Sequence, residues 1–159
     1  MIANNCPATE LMKRLRWGST WRLLGFSIIT YFVYMVYYAR RQTIILNEYS
    51  PLEKQIGLVF FRWWFVITYI SLALFFIYLF VPDDSPWVMI SNLFDYLDSL
   101  LGLIWAFKAR SSLNRLLLSE KGTSCWFNGI WTFVFQILYI NFKINQLLKN
   151  EASDTGVPT

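Results

Sequence analysis

Four apolar runs separated by short polar connections dominate the chain. Residues 21–39 read WRLLGFSIITYFVYMVYYA and close on Arg40 and Arg41. Residues 56–81 form the strongest run, interrupted only by Arg62; residues 87–107 are weaker, because they carry Asp95 and Asp98. Residues 125–142 supply the last run before Lys143. All four match the roughly 17 to 25 residues with which a helix crosses a bilayer. None shows the in-out alternation of a barrel strand, so helices are expected. The pattern predicts an all-α, helical integral membrane protein. Its four transmembrane helices lie within residues 17–148, after a basic amphipathic flank (1–16) and before a polar, mobile tail (149–159).

Tyr38-Ala39-Arg40-Arg41, followed after four residues by Leu46-Asn47, matches Trp105-Ala106-Phe107-Lys108, followed by Leu113-Asn114, at an offset of 67. A tandem pair of helical hairpins is one reading. The other is a recurring way for a helix to leave the bilayer: an aromatic at the interface, cations among the head groups, then a turn ending at Asn.

Charge complicates the topology. If all four runs cross, Lys13, Arg14, Arg16, Arg22, Lys143 and Lys149 face one side and the other eight cations face the opposite side. Six against eight barely orients a chain by the positive-inside rule. The turn Pro82-Asp83-Asp84-Ser85-Pro86 has two acids and no cation, and reads as outside. A second topology, in which only the middle two runs cross and the outer two lie at the interface or re-enter, puts every cation inside. Against it, the outer runs have no Pro or Gly pair to turn a re-entrant loop, and they are apolar all round. Four spans is the expectation.

Composition supports a lipid environment. Of 159 residues, 56% are hydrophobic and 15% charged, against about 25% charged in an ordinary globular domain. The net charge of +4 suits anionic head groups beside the spans better than nucleic acid. Zero histidines remove the commonest metal ligand and neutral-pH base. No phosphate-binding glycine loop, nucleophile elbow or zinc motif occurs. No cofactor and no enzymatic activity are expected. Cys6 and Cys125 stand far apart and match no paired or metal spacing.

The candidate chemistry lies in the third run. Asn92, Asp95, Asp98 and Ser99 recur at helical spacing on one face, continuing through Gly102 and Ala106. Carboxylates inside a span are costly and mark a site by default. From Trp87, Asp95 lies about 12 Å and Asp98 about 16 Å into the layer. Arg62 lies about 9 Å in from the connection joining the first two runs and is the expected ion-pair partner of Asp98. Asn128 and Gln136 are candidates for inter-helix hydrogen bonds. The eight tryptophans cluster near run ends and read as interfacial anchors.

The stretch Trp21-Arg22-Leu23-Leu24-Gly25-Phe26-Ser27-Ile28-Ile29-Thr30, with Tyr34, Tyr37, Arg40 and Leu46-Asn47, resembles the opening helix of a bacterial membrane family catalogued as domain of unknown function 4234. The closing Tyr139-Ile140-Asn141-Phe142-Lys143-Ile144-Asn145 is similar to that family's last helix. The chain departs where a Gly-Ile-Tyr usually follows the Thr, since Tyr31-Phe32-Val33-Tyr34 stands there. The resemblance implies a small multi-helix protein of the bacterial inner (cytoplasmic) membrane and supplies no activity or site. The expected function is that of a non-enzymatic accessory or assembly subunit, partnered by other membrane subunits or copies of itself. The alternative is a homo-oligomeric ion or proton channel or transporter lined by the Asp95/Asp98 face.

Overall fold

A computed structural model describes residues 9–82 and 84–154. It is helical, with no strand among the described residues. In chain order the helices are α1 (Thr9–Leu15), α2 (Thr20–Ile29), α3 (Val33–Glu48), α4 (Val59–Tyr78), α5 (Pro86–Leu116) and α6 (Gly129–Asp154), with a short 3-10 turn at Leu52–Lys54.

The antiparallel pair α4–α5 is the frame. Pro86 at the first position of α5 and the Ser85 hydroxyl, which accepts from the Trp87 N–H, start the second helix straight after the turn. Among the described residues, two helical stretches are long and apolar enough to cross a membrane, Leu52–Tyr78 and Pro86–Leu116. In their most apolar windows only 28% and 11% of residues are buried. A core helix of a water-soluble domain would be mostly buried.

Of the four expected spans only the second and third form helices long and apolar enough to cross; the first and fourth apolar runs each break and fold back. In the first, α2 ends in a Schellman closure: Phe32 N–H bonds Ser27 O at 2.6 Å and Tyr31 N–H bonds Ile28 O at 3.2 Å. Tyr31 (φ 47) and Phe32 (φ 64) are left-handed, positions that usually go to Gly. Thr30 holds the corner from both sides, its hydroxyl donating to Phe26 O at 2.8 Å and accepting from Tyr34 N–H at 3.1 Å. The reversal brings the rings of Trp17 and Tyr34 to 6.1 Å and those of Phe26 and Tyr34 to 5.3 Å. In an unbroken helix residues 17 and 34 would lie about 25 Å apart.

The fourth run breaks at Gln136 (φ 44, ψ −121), inside α6. Tyr139 turns back far enough for its hydroxyl to accept the Asn128 N–H at 3.0 Å and for its ring to reach that of Phe127 at 6.2 Å. A straight helix would separate residues 128 and 139 by about 16 Å. Neither reversal uses Pro or a Gly pair.

At 31 residues, about 46 Å, α5 outruns a hydrocarbon layer of about 30 Å. Its last turns leave the frame and enter a packed core. Trp105, Ala106, Ala109 and Leu113 are fully buried there, and Trp105 Nε1 donates to Thr43 Oγ1 at 2.8 Å. The apolar side of α1 (Leu11, Met12, Leu15) closes this core. Arg14 ties α1 to the end of α3 through Glu48 at 2.7 Å and the Tyr49 hydroxyl; the hydrogen bond to Tyr49 first, and then the Glu48 carboxylate, hold its guanidinium above its ordinary pKa. Two asparagines clasp the loops beside this core in the same way. Asn47 gives and takes one bond each with the Ile56 backbone (2.9 and 2.9 Å), and Asn114 does so with Phe127 (3.1 and 2.8 Å). They are the two asparagines of the 67-residue sequence match.

No Lys or Arg occurs from Trp63 to Phe107, so the α4–α5 turn end is free of cations. Lys149 to Asp154, expected to be mobile, continue α6; residues 155–159 and 1–8 of the expected tail and flank lie outside the described residues. Cys125 is buried. Cys6, the other cysteine, lies outside the described residues.

Candidate functional site

The acidic face of α5 meets α4 and the tips of both folded-back hairpins. On α4, Trp64, Thr68 and Ser71 fall at steps of four and three, hence on one side of the helix, and all three are buried. Asp98 receives the Trp64 indole N–H at 2.9 Å and the Thr68 hydroxyl. Asp95 receives the Ser71 hydroxyl and, from the first hairpin tip, that of Tyr31 at 3.1 and 3.2 Å from its two oxygens. Tyr31 is further fixed by stacking on Phe75 at 4.6 Å. The tip of one hairpin is thus pinned to the same carboxylate that joins α4 to α5.

The second tip arrives against Gly102. A Cβ added to that glycine would stand 3.1 Å from Gln136 Oε1, 3.6 Å from Trp64 and 3.9 Å from Ile137. Hydrogen in place of a methyl lets Gln136 approach. Between the tips and the helix pair lies a recess of about 430 Å³, reached by Asp95, Asp98, Ser99, Thr68 and Gln136. No three His, Cys, Asp or Glu among the described residues gather to hold a metal ion.

Of the expected site residues, Asp95, Asp98 and Ser99 share the recess, whereas Asn92 is exposed and outside it. The expected partner Arg62 is not joined to Asp98. Its side chain is exposed, and among the described residues the ion pair is Arg14–Glu48. The reason is angular: Trp64 is two positions on from Arg62, about 200° around the helix, so the face that meets Asp98 turns Arg62 away. Asn128 caps the start of α6, accepting the Ile130 N–H at 2.8 Å.

Tyr31, Trp64, Thr68 and Ser71 were not singled out from the sequence. The spacing of the last three was a signal. Nothing marked Tyr31, because its place at a helix stop is one that Gly normally announces. Several tryptophans also differ from the anchor reading. Trp21, Trp63, Trp87 and Trp131 are exposed, as anchors are, but Trp64 and Trp105 are buried donors. Trp17 and Trp126 lie under the guanidinium groups of Arg41 (4.7 Å) and Arg110 (5.3 Å).

No protein-family model, curated protein or solved structure matches the chain. The family resemblance rests on the residues quoted for it.

Proposed function

We propose that this chain is a non-enzymatic integral membrane protein that works as an accessory or assembly subunit. In this reading α4 and α5 cross the bilayer, and the α2–α3 and α6 hairpins re-enter it from the side where the cations gather. The bacterial inner membrane is the expected site, on the family resemblance. Re-entrant backbone is tolerated at membrane depth where its polar groups are satisfied within the protein, and the closure at Tyr31 and Phe32 meets that condition.

The observation that carries the functional reading is the partnering of the acids. Tyr31, Ser71, Trp64 and Thr68 all donate to Asp95 or Asp98. The pair is occupied in holding a hairpin tip to the helix frame, which leaves the outer surface as the working face. Purification in mild detergent tests this. Another membrane subunit, or a further copy, is expected to co-purify in fixed ratio, and recovery of a lone monomer counts against it.

A second reading follows from the recess, where Ser99 and Gln136 add polar groups beside the two acids. There the chain passes a proton or small cation between the hairpin tips. Flux through proteoliposomes that disappears in Asp95→Asn and Asp98→Asn, with the protein still inserted and helical, would favour this reading over the first.

A further inference from the structure

We propose that a basic cleft at the junction of α1, α2 and the end of α6 binds the phosphate head group of one anionic phospholipid, whose acyl chain lies in the groove that continues from it. The proposal rests on the chain being embedded in a bilayer. The cleft has a volume of about 860 Å³ and draws Lys13 and Arg16 from the N-terminal side and Lys149 from α6, with Glu151 as the one acid on its wall. Among the described residues no ion pair joins those three cations, the pair being Arg14–Glu48.

Its floor is rigidly built. The Gly18 carbonyl accepts from Asn145 at 2.7 Å and from Asn141 at 3.4 Å, and Asn141 also donates to the Thr20 hydroxyl at 3.0 Å. These bonds fix the start of α2, whose N-cap Ser19 makes no side-chain capping bond. The positive end of α2 therefore adds to the field of the three cations.

The groove identifies the anion as a lipid. A hollow of about 600 Å³ runs between α2 and α6, sharing Thr20, Trp21 and Phe142 with the cleft and continuing along Leu24, Trp131 and Phe135. A free phosphate has no use for an aromatic channel, whereas a phospholipid presents an anionic head and an apolar chain in that order. Trp21, 79% exposed, stands at the junction, where an amphipathic indole suits the head-group level.

The test is native mass spectrometry of the full chain in mild detergent. Phosphatidylglycerol and phosphatidylcholine of equal chain length are titrated separately, and inorganic phosphate is added as competitor. One phosphatidylglycerol should be retained in preference to phosphatidylcholine, and Lys13→Gln, Arg16→Gln, Lys149→Gln together should weaken it about 100-fold, roughly fivefold per cation. Trp21→Ala should weaken both lipids. A Lys54→Gln, Lys121→Gln control, neutralised away from the cleft, should retain the lipid as the native chain does.

Equal retention of the two lipids, equal loss in the control, or full displacement by millimolar phosphate overturns the proposal. If the triple variant misfolds, the lipid preference of the native chain and its decline with salt decide the matter. A chain monodisperse in plain buffer sinks the bilayer reading itself. One that needs detergent yet ignores head-group charge sinks only the cleft.

Discussion

Tyr31→Phe separates the hydrogen bond at the first hairpin tip from everything else that holds it. The ring and its stacking on Phe75 are kept, and only the hydroxyl bridging to Asp95 is lost. Left-handed backbone at Tyr31 and Phe32 costs about 1–2 kcal/mol per residue. Something must offset that. Inter-helix hydrogen bonds in membranes contribute about 0.6 kcal/mol on average and about 1.7 at most, and bonds to charged groups about 1.5–3 in water-soluble proteins. The bond from Tyr31 is therefore expected to stabilise the tip by about 1–2 kcal/mol, on the same scale as one strained residue.

Hydrogen exchange in detergent micelles reads this directly. Amides at Tyr31, Phe32 and Val33 should exchange about 5- to 30-fold faster in Tyr31→Phe, while those of Trp105 to Leu113 in the buried core stay unchanged. In an Asp95→Asn background the same substitution should cost about half as much, because a neutral acceptor gives roughly half the bond. If exchange at the tip is unaltered by Tyr31→Phe, or if the cost in the Asp95→Asn background equals that in the native chain, the acidic pair does not hold the hairpin and the structural reading fails.

Leu118 is left-handed (φ 46) and 79% exposed at the end of α5, so Leu118→Gly should raise stability by about 1 kcal/mol, seen as a higher unfolding midpoint in detergent. Asn114→Ala should lower that midpoint strongly, by about 2–3 kcal/mol, since it strips two bonds from the buried backbone of Phe127. Gly102→Val should push Gln136 off α5 and raise exchange at residues 134–138, with Gly102→Ala giving a smaller effect in the same direction. Single cysteines at Arg16 and Arg110 in a Cys-free background should be labelled from the same side of sealed vesicles, and one at Asp84 from the other. Labelling of positions 16 and 110 from opposite sides would restore four spans.

What the sequence made legible follows from what pattern reading measures. Length and hydropathy reported the α4–α5 frame, because two long helices apolar on most of their surface have no pattern to hide. The acids at Asp95 and Asp98 stood out because charge is rare there, and their shared face followed from spacing alone. Their partners did not, since Thr68, Ser71 and Trp64 are unremarkable in an apolar run until the opposite helix is known. The hairpin reversals were illegible for a different reason. A Gly stop signal reflects a left-handed backbone preference of only about 1–2 kcal/mol, and Tyr31, Phe32 and Gln136 stand at such positions without it.

The charge count carried the information that those positions withheld. With four crossings, six cations oppose eight, and a chain that obeyed the insertion rule would have no defined orientation. In the two-span topology proposed here the turn after α4 is the connection on the opposite side, and it holds no cation at all, so the division becomes fourteen against none. The contacts agree: Arg14 meets Glu48, Arg110 meets Phe127, Arg115 meets Ser50, and Lys108 lies over Phe60 at the start of α4. An almost even split of cations in an otherwise clear set of apolar runs is therefore a reason to halve the number of crossings. A run of membrane length that begins and ends in the same charged layer is better read as a hairpin than as a span, even where no Gly or Pro marks its turn.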